Sequence, residues 1–486
     1  MALKTPQQYR ESIRAIRHRA FIHGGRIDDV TEHPNIKPII DVVAKTYELA
    51  LDPKYEGLLT ATSPLTGERI SRWCHVPGSI DDLEKRRQMN ILMSQIVGTC
   101  HARCVGTEAI HALAAVTYSI DQKVGTEYHK RFSNFLRYMQ ENDLMCSEPQ
   151  TDVKGDRSKG PLEQEDPDFY VHVVEKRSDG IVVRGAKTHQ EGNLAAHYHL
   201  VFPSRPLRKG EEDYAVIFAV PAGTEGMTYI CQDGPFEAER REIEDVRILG
   251  NPLYGNAISS MTIFDNVFVP WENVFMCGEI EFIGELIDKA LRVHNLVCRG
   301  ACKVGFMDLL IGAAQTIAEY NGISKVSHVV DKITEMIRVR ETTHACATAA
   351  VVKGTEEPSG SGVFFPEAMA SLMASLNTQY GLPQAAMLAA DLAGGLVVTM
   401  PSELELKNPE ASEYVKKYLK GVASVPVENR LRMMKFLQYW VAGPQGVRMW
   451  HGGIGPQVHR LNVYRQFRTV MEEKKKLAKD LAGIKD

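Results

Sequence analysis

A central block of alternating segments, flanked on both sides by helical periodicity, most constrains what this chain can fold into. The segments FYVHVVEKR, GIVVRGAKTH, YHLVFP, YAVIFAVP and MTIFDNVFVP, which begin at residues 169, 180, 198, 214 and 261, alternate in the manner of β-strands. The pair Asp179-Gly180 predicts a hairpin turn between the first two. The pattern therefore predicts a β domain over residues 148–279.

Both flanks place apolar residues at intervals of three and four, which is typical of helices. The first flank is expected to be helical from Met1 to about Met145. The second continues nearly to the end of the chain, with breaks at residues 354–362, at Gly394-Gly395 and at HGGIGP (451–456). We expect an α+β protein with an N-terminal helical domain (1–147), a β-barrel-like middle domain (148–279) and a C-terminal helical bundle (280–486).

Composition excludes several classes of protein. With 486 residues, 44% hydrophobic and 24% charged, the chain matches ordinary soluble enzymes. A net charge of -4 provides no basic field for nucleic acid, so no nucleic-acid partner is expected. The N-terminus has no apolar signal core, and no stretch approaches ~20 consecutive apolar residues, so we expect a cytoplasmic protein without a membrane partner.

Nine cysteines, an odd number spread along the chain, do not resemble a secreted disulfide framework. Two pairs carry a spacing signal: Cys100 with Cys104, and Cys298 with Cys302. The other cysteines are isolated and are interpreted as small buried hydrophobes. They are Cys74, Cys146, Cys231, Cys277 and Cys346.

Cysteines four apart on a helix lie on one face, so both sulfurs of Cys100 and Cys104 are expected to reach one metal centre. The spacing suits a cubane cluster better than a structural zinc site, which usually uses C-x2-C. For this pair alone, two thiols at helical spacing by chance are the alternative. His294, Cys298 and Cys302 form a second ladder at four-residue steps, and one ladder in each helical domain favours an iron–sulfur cluster.

Two polar, glycine-containing segments at the mouth of the predicted sheet, TDVKGDR (151–157) and RGAKTHQEG (184–192), are candidates for binding a dinucleotide's phosphates and a flavin ring edge. Neither matches a Rossmann or P-loop fingerprint, and polar turns are the alternative. The glycines near residues 394 and 452 mark either close approach to a ligand or helix ends. The candidate cofactor-binding residues are Thr151, Asp152, Lys154, Asp156, Arg157, Thr188, His189, Gln190, Glu191, Gly394, Gly395, Gly452 and Gly453.

Matching segments nearly end to end carry a family resemblance. They are HPNIKP (33–38), ENDL (141–144), TDVKGDR, VVEKRSDGIVVRGAKTHQ (173–190), FDNVFVP (264–270), CKVG (302–305), GGLVVTMPSE (394–403) and the terminal HGxxxPQ. On these segments the sequence resembles the flavoprotein family that unites 4-hydroxyphenylacetate 3-hydroxylases with 4-hydroxybutyryl-CoA dehydratase/vinylacetyl-CoA isomerase, and the dehydratase branch is the closer.

The resemblance implies an acyl-CoA dehydrogenase-like homotetramer with FAD held between domains and subunits. It also implies a [4Fe-4S] cluster, for which Cys100, Cys104, His294 and Cys302 are the matching ligands. The implied reaction is a lyase or isomerase reaction of a short-chain acyl-CoA, in which water leaves 4-hydroxybutyryl-CoA. The catalytic candidates are His294, Cys298 and Lys303.

The chain departs from the dehydratase pattern at several positions. Cys298 stands where relatives have a tyrosine one turn after the histidine, and the interval from His294 to Cys302 is one residue longer. Either the helix carries an extra residue, or Asn295 occupies the histidine's place.

Two glutamates of the dehydratases are also missing. Ser259 or Ser260 stands at one aligned position and Arg448 at the other, while Glu191 follows the flavin-loop residues. Three alternatives therefore stay open: a cluster held by Cys298 and the three other thiols, with a different reaction; a flavin-dependent aromatic hydroxylase; and a non-catalytic scaffold.

Overall fold

Helices form most of both ends of the chain in the computed structural model, which describes residues 3–232, 250–251, 258–443, 446 and 455–484. Helix α4 begins where the Ser79 hydroxyl accepts a hydrogen bond from the Asp82 N–H, and it ends at Gly98. The helices of the first part are α1 (Pro6–Arg14), α2 (Lys37–Leu51), α3 (Glu56–Leu59), α4 (Ile80–Val97), α5 (Arg103–Val124) and α6 (Tyr128–Glu141).

The strands form two main sheets, with orders β2-β1-β10-β11-β7-β6 and β12-β9-β8-β5. The predicted strand segments are confirmed, and β6 and β7 form the antiparallel hairpin expected at Asp179-Gly180. The strands are β1 (Ala20–Ile22), β2 (Gly25–Ile27), β3 (Thr60–Thr62), β4 (Arg69–Ser71), β5 (Cys146–Ser147), β6 (His172–Lys176), β7 (Gly180–Glu191), β8 (Tyr198–Val201), β9 (Val216–Pro221), β10 (Met227–Cys231), β11 (Ser259–Pro270) and β12 (Val274–Cys277).

The expectation of a purely helical N-terminal part is wrong. Strands β1 and β2 join the six-stranded sheet, where Ala20 pairs with Tyr229 of the parallel neighbour β10. Strands β3 and β4 form a separate short hairpin. Strands of three residues are too short to show a two-residue period, so tertiary pairing rather than local pattern determines them.

The second part of the chain is again helical, as expected. Helix α10 ends at Gly394, which confirms the break at the paired glycines. A hairpin of β13 (Thr355–Glu356) and β14 (Phe364–Phe365) occupies the break near residue 354. Residues 451–454 lie outside the described residues. The helices are α7 (Ile283–His294), a π-helix (Asn295–Cys302), α8 (Lys303–Tyr320), α9 (Ser327–Val352), α10 (Ala368–Ala393), α11 (Leu396–Thr399), α12 (Ser412–Tyr418), α13 (Val427–Val441) and α14 (Pro456–Leu481).

Large buried clusters connect these layers. One packs α2 and α4 against the six-stranded sheet. A second packs α5, α6 and α7 against the four-stranded sheet, and a third joins α8, α9, α10 and α13. Among the described helices, none is long and apolar enough to cross a membrane. The helix–sheet–helix order is thus observed, while the domain boundaries and the acyl-CoA dehydrogenase likeness stay predictions.

The contact of α5 with β5 gives a test of this packing. A Cβ atom at Gly106 would lie 2.0 Å from the Cys146 carbonyl oxygen, whereas at Gly312 of α8 nothing lies within 4 Å. We expect Gly106→Ala to lower the free energy of unfolding by about 1–3 kcal/mol or more through overpacking. The control Gly312→Ala should raise it by about 1 kcal/mol through helix propensity. Denaturant unfolding of both variants measures this, and equal stability would contradict the packing.

Candidate functional site

The loop between α4 and α5 carries the first cysteine pair. Gly98 and Ala102 both adopt left-handed backbone conformations, with φ of 60° and 57°. Cys100 lies in this loop, whereas Cys104 lies in the first turn of α5, which begins at Arg103. The expectation that both cysteines lie on one helical face is therefore wrong. Left-handed residues interrupt a helix, and apolar periodicity does not reveal them.

The second ladder is wound as a π-helix, a rare form that accommodates an extra residue and is frequent at functional sites. His294 immediately precedes it and lies close enough to Cys298 for the two to shift each other's pKa. The Asn295 side chain instead meets His459, with 2.9 Å between Oδ1 and Nε2. Of the two alternatives left open by the spacing, the geometry favours the extra residue, because His294 and not Asn295 contacts a cysteine.

The fold brings the two ladders together from distant parts of the chain. Cys104 and Cys302 share a hydrogen bond. The Cys302 sulfur also lies 3.3 Å from His101 Nε2. Cys298 and Cys302 influence each other electrostatically, as do Cys100 and Cys104. The four predicted metal ligands therefore belong to one connected group that also contains Cys298.

Glu108 fixes the orientation of His294. Its Oε2 lies 2.9 Å from His294 Nδ1. Among the described residues, His294 Nε2 is buried without a hydrogen-bond partner. A carboxylate on one ring nitrogen, with the other nitrogen unpaired, is the arrangement that orients a histidine for metal binding. Glu108 follows Cys104 by four residues on α5, so helical spacing is the signal that could have identified it.

The donor set fits an iron–sulfur cubane in its chemistry. Cubane clusters are held by cysteine thiolates, and histidine replaces cysteine in some iron–sulfur centres. Within the described residues, no group of three or more His, Cys, Asp or Glu side chains is arranged to hold a single metal ion. A cubane takes one ligand on each iron and is larger than a single ion, so its ligands are spaced more widely. Cys100, Cys104, Cys302 and His294 are the residues that would hold it.

Neighbouring charges divide the thiols into two classes. The hydrogen bond from Cys104 holds the pKa of Cys302 well below its usual range, assisted by His101 and Lys303. Burial raises the pKa of Cys298, but the Lys303 ammonium and His294 outweigh it, and the net pKa is lowered. Both therefore favour the thiolate, the form that binds metal.

The other two thiols are held neutral in the absence of a metal. The hydrogen bond to Cys302 and burial raise the pKa of Cys104. Burial and the Glu191 carboxylate raise the pKa of Cys100, whose sulfur donates to Glu191 Oε2 at 2.8 Å. Metal binding to these two would release protons.

The end of β7 reaches the cysteine loop. At Gly192 (φ 76°) a Cβ atom would lie 2.6 Å from the Ala102 Cβ, so only glycine permits this approach. This close approach of the two backbones places the Glu191 carboxylate beside the Cys100 sulfur. His189, two residues earlier, has a left-handed backbone (φ 59°), which is uncommon outside glycine. The predicted flavin-binding strand exit thus lies against the predicted cluster ligands.

The other candidate cofactor-binding residues differ in their surroundings. Thr188 N–H donates to the Thr151 carbonyl at 2.8 Å, which joins the two predicted segments. The Asp152 carboxylate is buried and pairs with the Lys187 ammonium and the Ser204 hydroxyl. Its role in cofactor binding stays a prediction.

The remaining candidates are located as follows. Gln190 is buried, Lys154 has a left-handed backbone, Asp156 and Arg157 are exposed, Gly394 and Gly395 are exposed where α10 ends, and Gly452 and Gly453 lie outside the described residues.

Comparison with known proteins adds two family matches. Residues 5–276 match the N-terminal model, and residues 284–483 the C-terminal model, of 4-hydroxyphenylacetate 3-hydroxylase. The chain is 39% identical to the 4-hydroxybutyryl-CoA dehydratase/vinylacetyl-CoA-Delta-isomerase of Clostridium aminobutyricum, over 99% of this chain and 100% of that protein. It is 28% identical to a 4-hydroxyphenylacetate 3-monooxygenase oxygenase component of Thermus thermophilus, over 90% and 88%.

Solved structures share the fold. An oxygen-tolerant archaeal 4-hydroxybutyryl-CoA dehydratase from N. maritimus superimposes with a TM-score of 0.94 at 38% identity, covering 100% of this chain and 96% of the other. The oxygenase component of a 4-hydroxyphenylacetate 3-monooxygenase, complexed with FAD, superimposes with a TM-score of 0.85 at 24% identity, covering 99% of both chains.

The influence of Lys303 on Cys298 can be measured in protein purified without iron. Removing the ammonium with Lys303→Met should raise the pKa of Cys298 and slow its alkylation near pH 7 several-fold. Cys346, like Cys298 a thiol of intermediate burial, provides the internal reference, because its pKa is raised by burial alone. Mass spectrometry reports the ratio of the two rates. Lys85→Met, which removes a partly exposed lysine of α4 that pairs with Asp81, is the control. An unchanged ratio in Lys303→Met would contradict the assignment.

Proposed function

The chain belongs to the 4-hydroxyphenylacetate 3-hydroxylase family, and from this premise we propose that it is an FAD- and [4Fe-4S]-dependent lyase or isomerase of a short-chain acyl-CoA. The carrying observation is the convergence of Cys100, Cys104, Cys302 and His294, with His294 Nε2 buried and unpaired among the described residues. The dehydratase relatives supply the substrate class, and the FAD complex of the monooxygenase relative supports the flavin.

The chemical difficulty of such a reaction is a β-hydrogen that is not acidic. When bound, the flavin supplies reversible electron transfer that acidifies this hydrogen, and the cluster supplies a Lewis-acidic iron for a departing hydroxyl. His294 provides the base at Nε2, the nitrogen that would also hold the cluster, so it can take the proton only while it is not bound to iron. Burial lowers the pKa of His294, but the Glu108 carboxylate and Cys298 outweigh it and raise the pKa well above its usual value. The imidazolium formed by proton abstraction is thereby stabilised.

Glu191 provides a carboxylate at the position where dehydratases differ from this chain. Ser259 of β11 pairs directly across the sheet with Glu191 of β7. The carboxylate that this chain lacks on β11, compared with the dehydratases, is therefore replaced by one on the neighbouring strand β7. We propose that Glu191 assists proton transfer beside Cys100, and that Lys303, buried among the thiols, balances their negative charge.

A homotetramer is proposed on the resemblance and on one surface. Helix α14 is largely exposed, and the apolar side chains along it recur at intervals of three, four or seven residues. Such a stripe favours burial against another subunit. Its members are Val458, Leu461, Tyr464, Phe467, Val470, Leu477 and Leu481. The cytoplasmic location stays a prediction.

Anaerobic purification followed by parallel assays tests the function. We expect isomerisation of vinylacetyl-CoA, which needs proton abstraction only, and slower or absent dehydration of 4-hydroxybutyryl-CoA, because two carboxylates of the dehydratases are replaced. His294→Ala should reduce isomerisation by about 10²–10⁴-fold, as expected for loss of a general base. Flavin absorbance without iron, together with hydroxylation of a phenol by the reduced enzyme, would instead support the aromatic hydroxylase.

The fourth cluster ligand is decided by counting iron and sulfide in two variants. We expect His294→Ala to lose cluster and Cys298→Ser to retain it, because His294 holds the unpaired buried nitrogen. Cys346→Ser, which removes another helical thiol of intermediate burial, is the matched control. Loss of cluster in Cys298→Ser with retention in His294→Ala would show that four thiolates hold it, which favours electron transfer over Lewis-acid chemistry.

A further inference from the structure

Arg299 is a fully buried arginine whose guanidinium has no hydrogen-bond partner among the described residues. Its exposure is 0%, and Nε and both terminal nitrogens are unpaired. Two other deeply buried arginines do have polar partners. Arg86 meets His111 Nδ1 at 2.9 Å, and Arg103 donates to the Thr46 hydroxyl at 3.0 Å and stacks over Tyr47. Arg299 is therefore not explained by the packing that accommodates its counterparts.

No carboxylate of the described chain forms an ion pair with Arg299. Burial lowers its pKa, and the Cys298 thiol is the group that acts in the opposite direction. That thiol also acts on His294, whose pKa it helps to raise. An unpaired buried charge is among the most costly groups that a fold can hold, so a partner anion is expected.

Further donors lie beside this arginine. Asn295 precedes it by four residues in the π-helix, its Oδ1 lies 2.9 Å from His459 Nε2, and the Arg299 charge acts on the same histidine. This leaves Asn295 Nδ2 buried without a partner among the described residues. The same His459 nitrogen lies 3.0 Å from the Ser375 hydroxyl oxygen. The unpaired groups of Arg299 and Asn295 are thus all donors.

We infer that Arg299 and Asn295 form a buried binding site for a carboxylate. The planar guanidinium presents paired N–H groups that match the two oxygens of a carboxylate, and the amide adds another donor. One buried cation balances a monoanion, whereas a phosphate dianion would need more positive charge. The carboxylate is either a free organic acid or the far end of an acyl thioester, and only the second source rests on the proposed function.

Binding to the purified holoenzyme tests the site without turnover. Acetate and glutarate, added at constant ionic strength, should raise the thermal midpoint of the wild type. Arg299→Met should lower the affinity for these acids by about tenfold or more, as for loss of charge-assisted hydrogen bonds. Arg299→Met should itself unfold at the same temperature or higher, because it removes a buried guanidinium that makes no hydrogen bond within the described part of the chain.

Arg340→Met is the matched control. Arg340 of α9 pairs with Asp308 at 2.8 Å, so its loss should lower the thermal midpoint while the response to carboxylates persists. Arg299→Lys keeps the charge without the planar fork and should respond more weakly than the wild type. If the source is the acyl group, glutaryl-CoA should bind more tightly than butyryl-CoA, and this preference should vanish in Arg299→Met.

Two results would overturn the inference. The first is the absence of an effect that depends on Arg299. This would be seen if neither the acids nor glutaryl-CoA shifted the thermal midpoint of the wild type, or if they shifted that of Arg299→Met equally. The second is loss of iron from Arg299→Met without any carboxylate-dependent shift in the wild type, which would assign the arginine to the thiol group. These measurements report binding and do not require turnover. An enzyme without lyase activity can therefore still show the carboxylate site, so failure of the proposed function is distinguishable from failure of this inference.

Discussion

The contact between the loop after α4 and the π-helix after α7 is the constraint on which the site depends. His101 and Cys302, 201 residues apart in sequence, meet there at 3.3 Å, and Cys104 hydrogen-bonds the same sulfur. This contact joins α5 to the C-terminal helices beside the end of β7. The predicted ligands and the predicted flavin-binding segment therefore come from three distant parts of the chain.

This arrangement lowers the stability of the fold through its buried polar atoms. Among the described residues, His101 Nδ1, Glu108 Oε1, His294 Nε2 and the Arg299 guanidinium are all buried without partners. Folded proteins pair nearly all such groups, so unpaired atoms beside the cysteines favour a site that binds something further. The surrounding helices must supply the stability that these groups cost.

Much of the fold follows from sequence pattern, and the exceptions have physical causes. The long strands β7 and β11 show the two-residue period clearly, whereas β1 and β2 are too short for it and depend on pairing with β10. The ladder of His294, Cys298 and Cys302 was recognisable by spacing. Its π-winding was not, because i,i+4 spacing does not distinguish the two helix types.

The site was predictable in its members more than in its geometry. Cys100 and Cys104 were identified by spacing, but the left-handed Ala102 places Cys100 in a loop rather than on a helix. Asp152 was a candidate for cofactor binding, yet its buried pairing with Lys187 depends on the tertiary fold. Glu108 had a signal in its helical spacing from Cys104, whereas His101 and Arg299 gain their roles only from contacts across the fold.

The central claim is that these converging residues hold a cubane cluster with one nitrogen ligand. Mössbauer spectroscopy of anaerobically purified enzyme grown on isotopically enriched iron tests it most directly. The account predicts a [4Fe-4S] spectrum in which one iron differs from the other three, and loss of that difference with loss of cluster in His294→Ala. A chain that contains FAD and no iron, or a cubane whose irons are all equivalent, would contradict it.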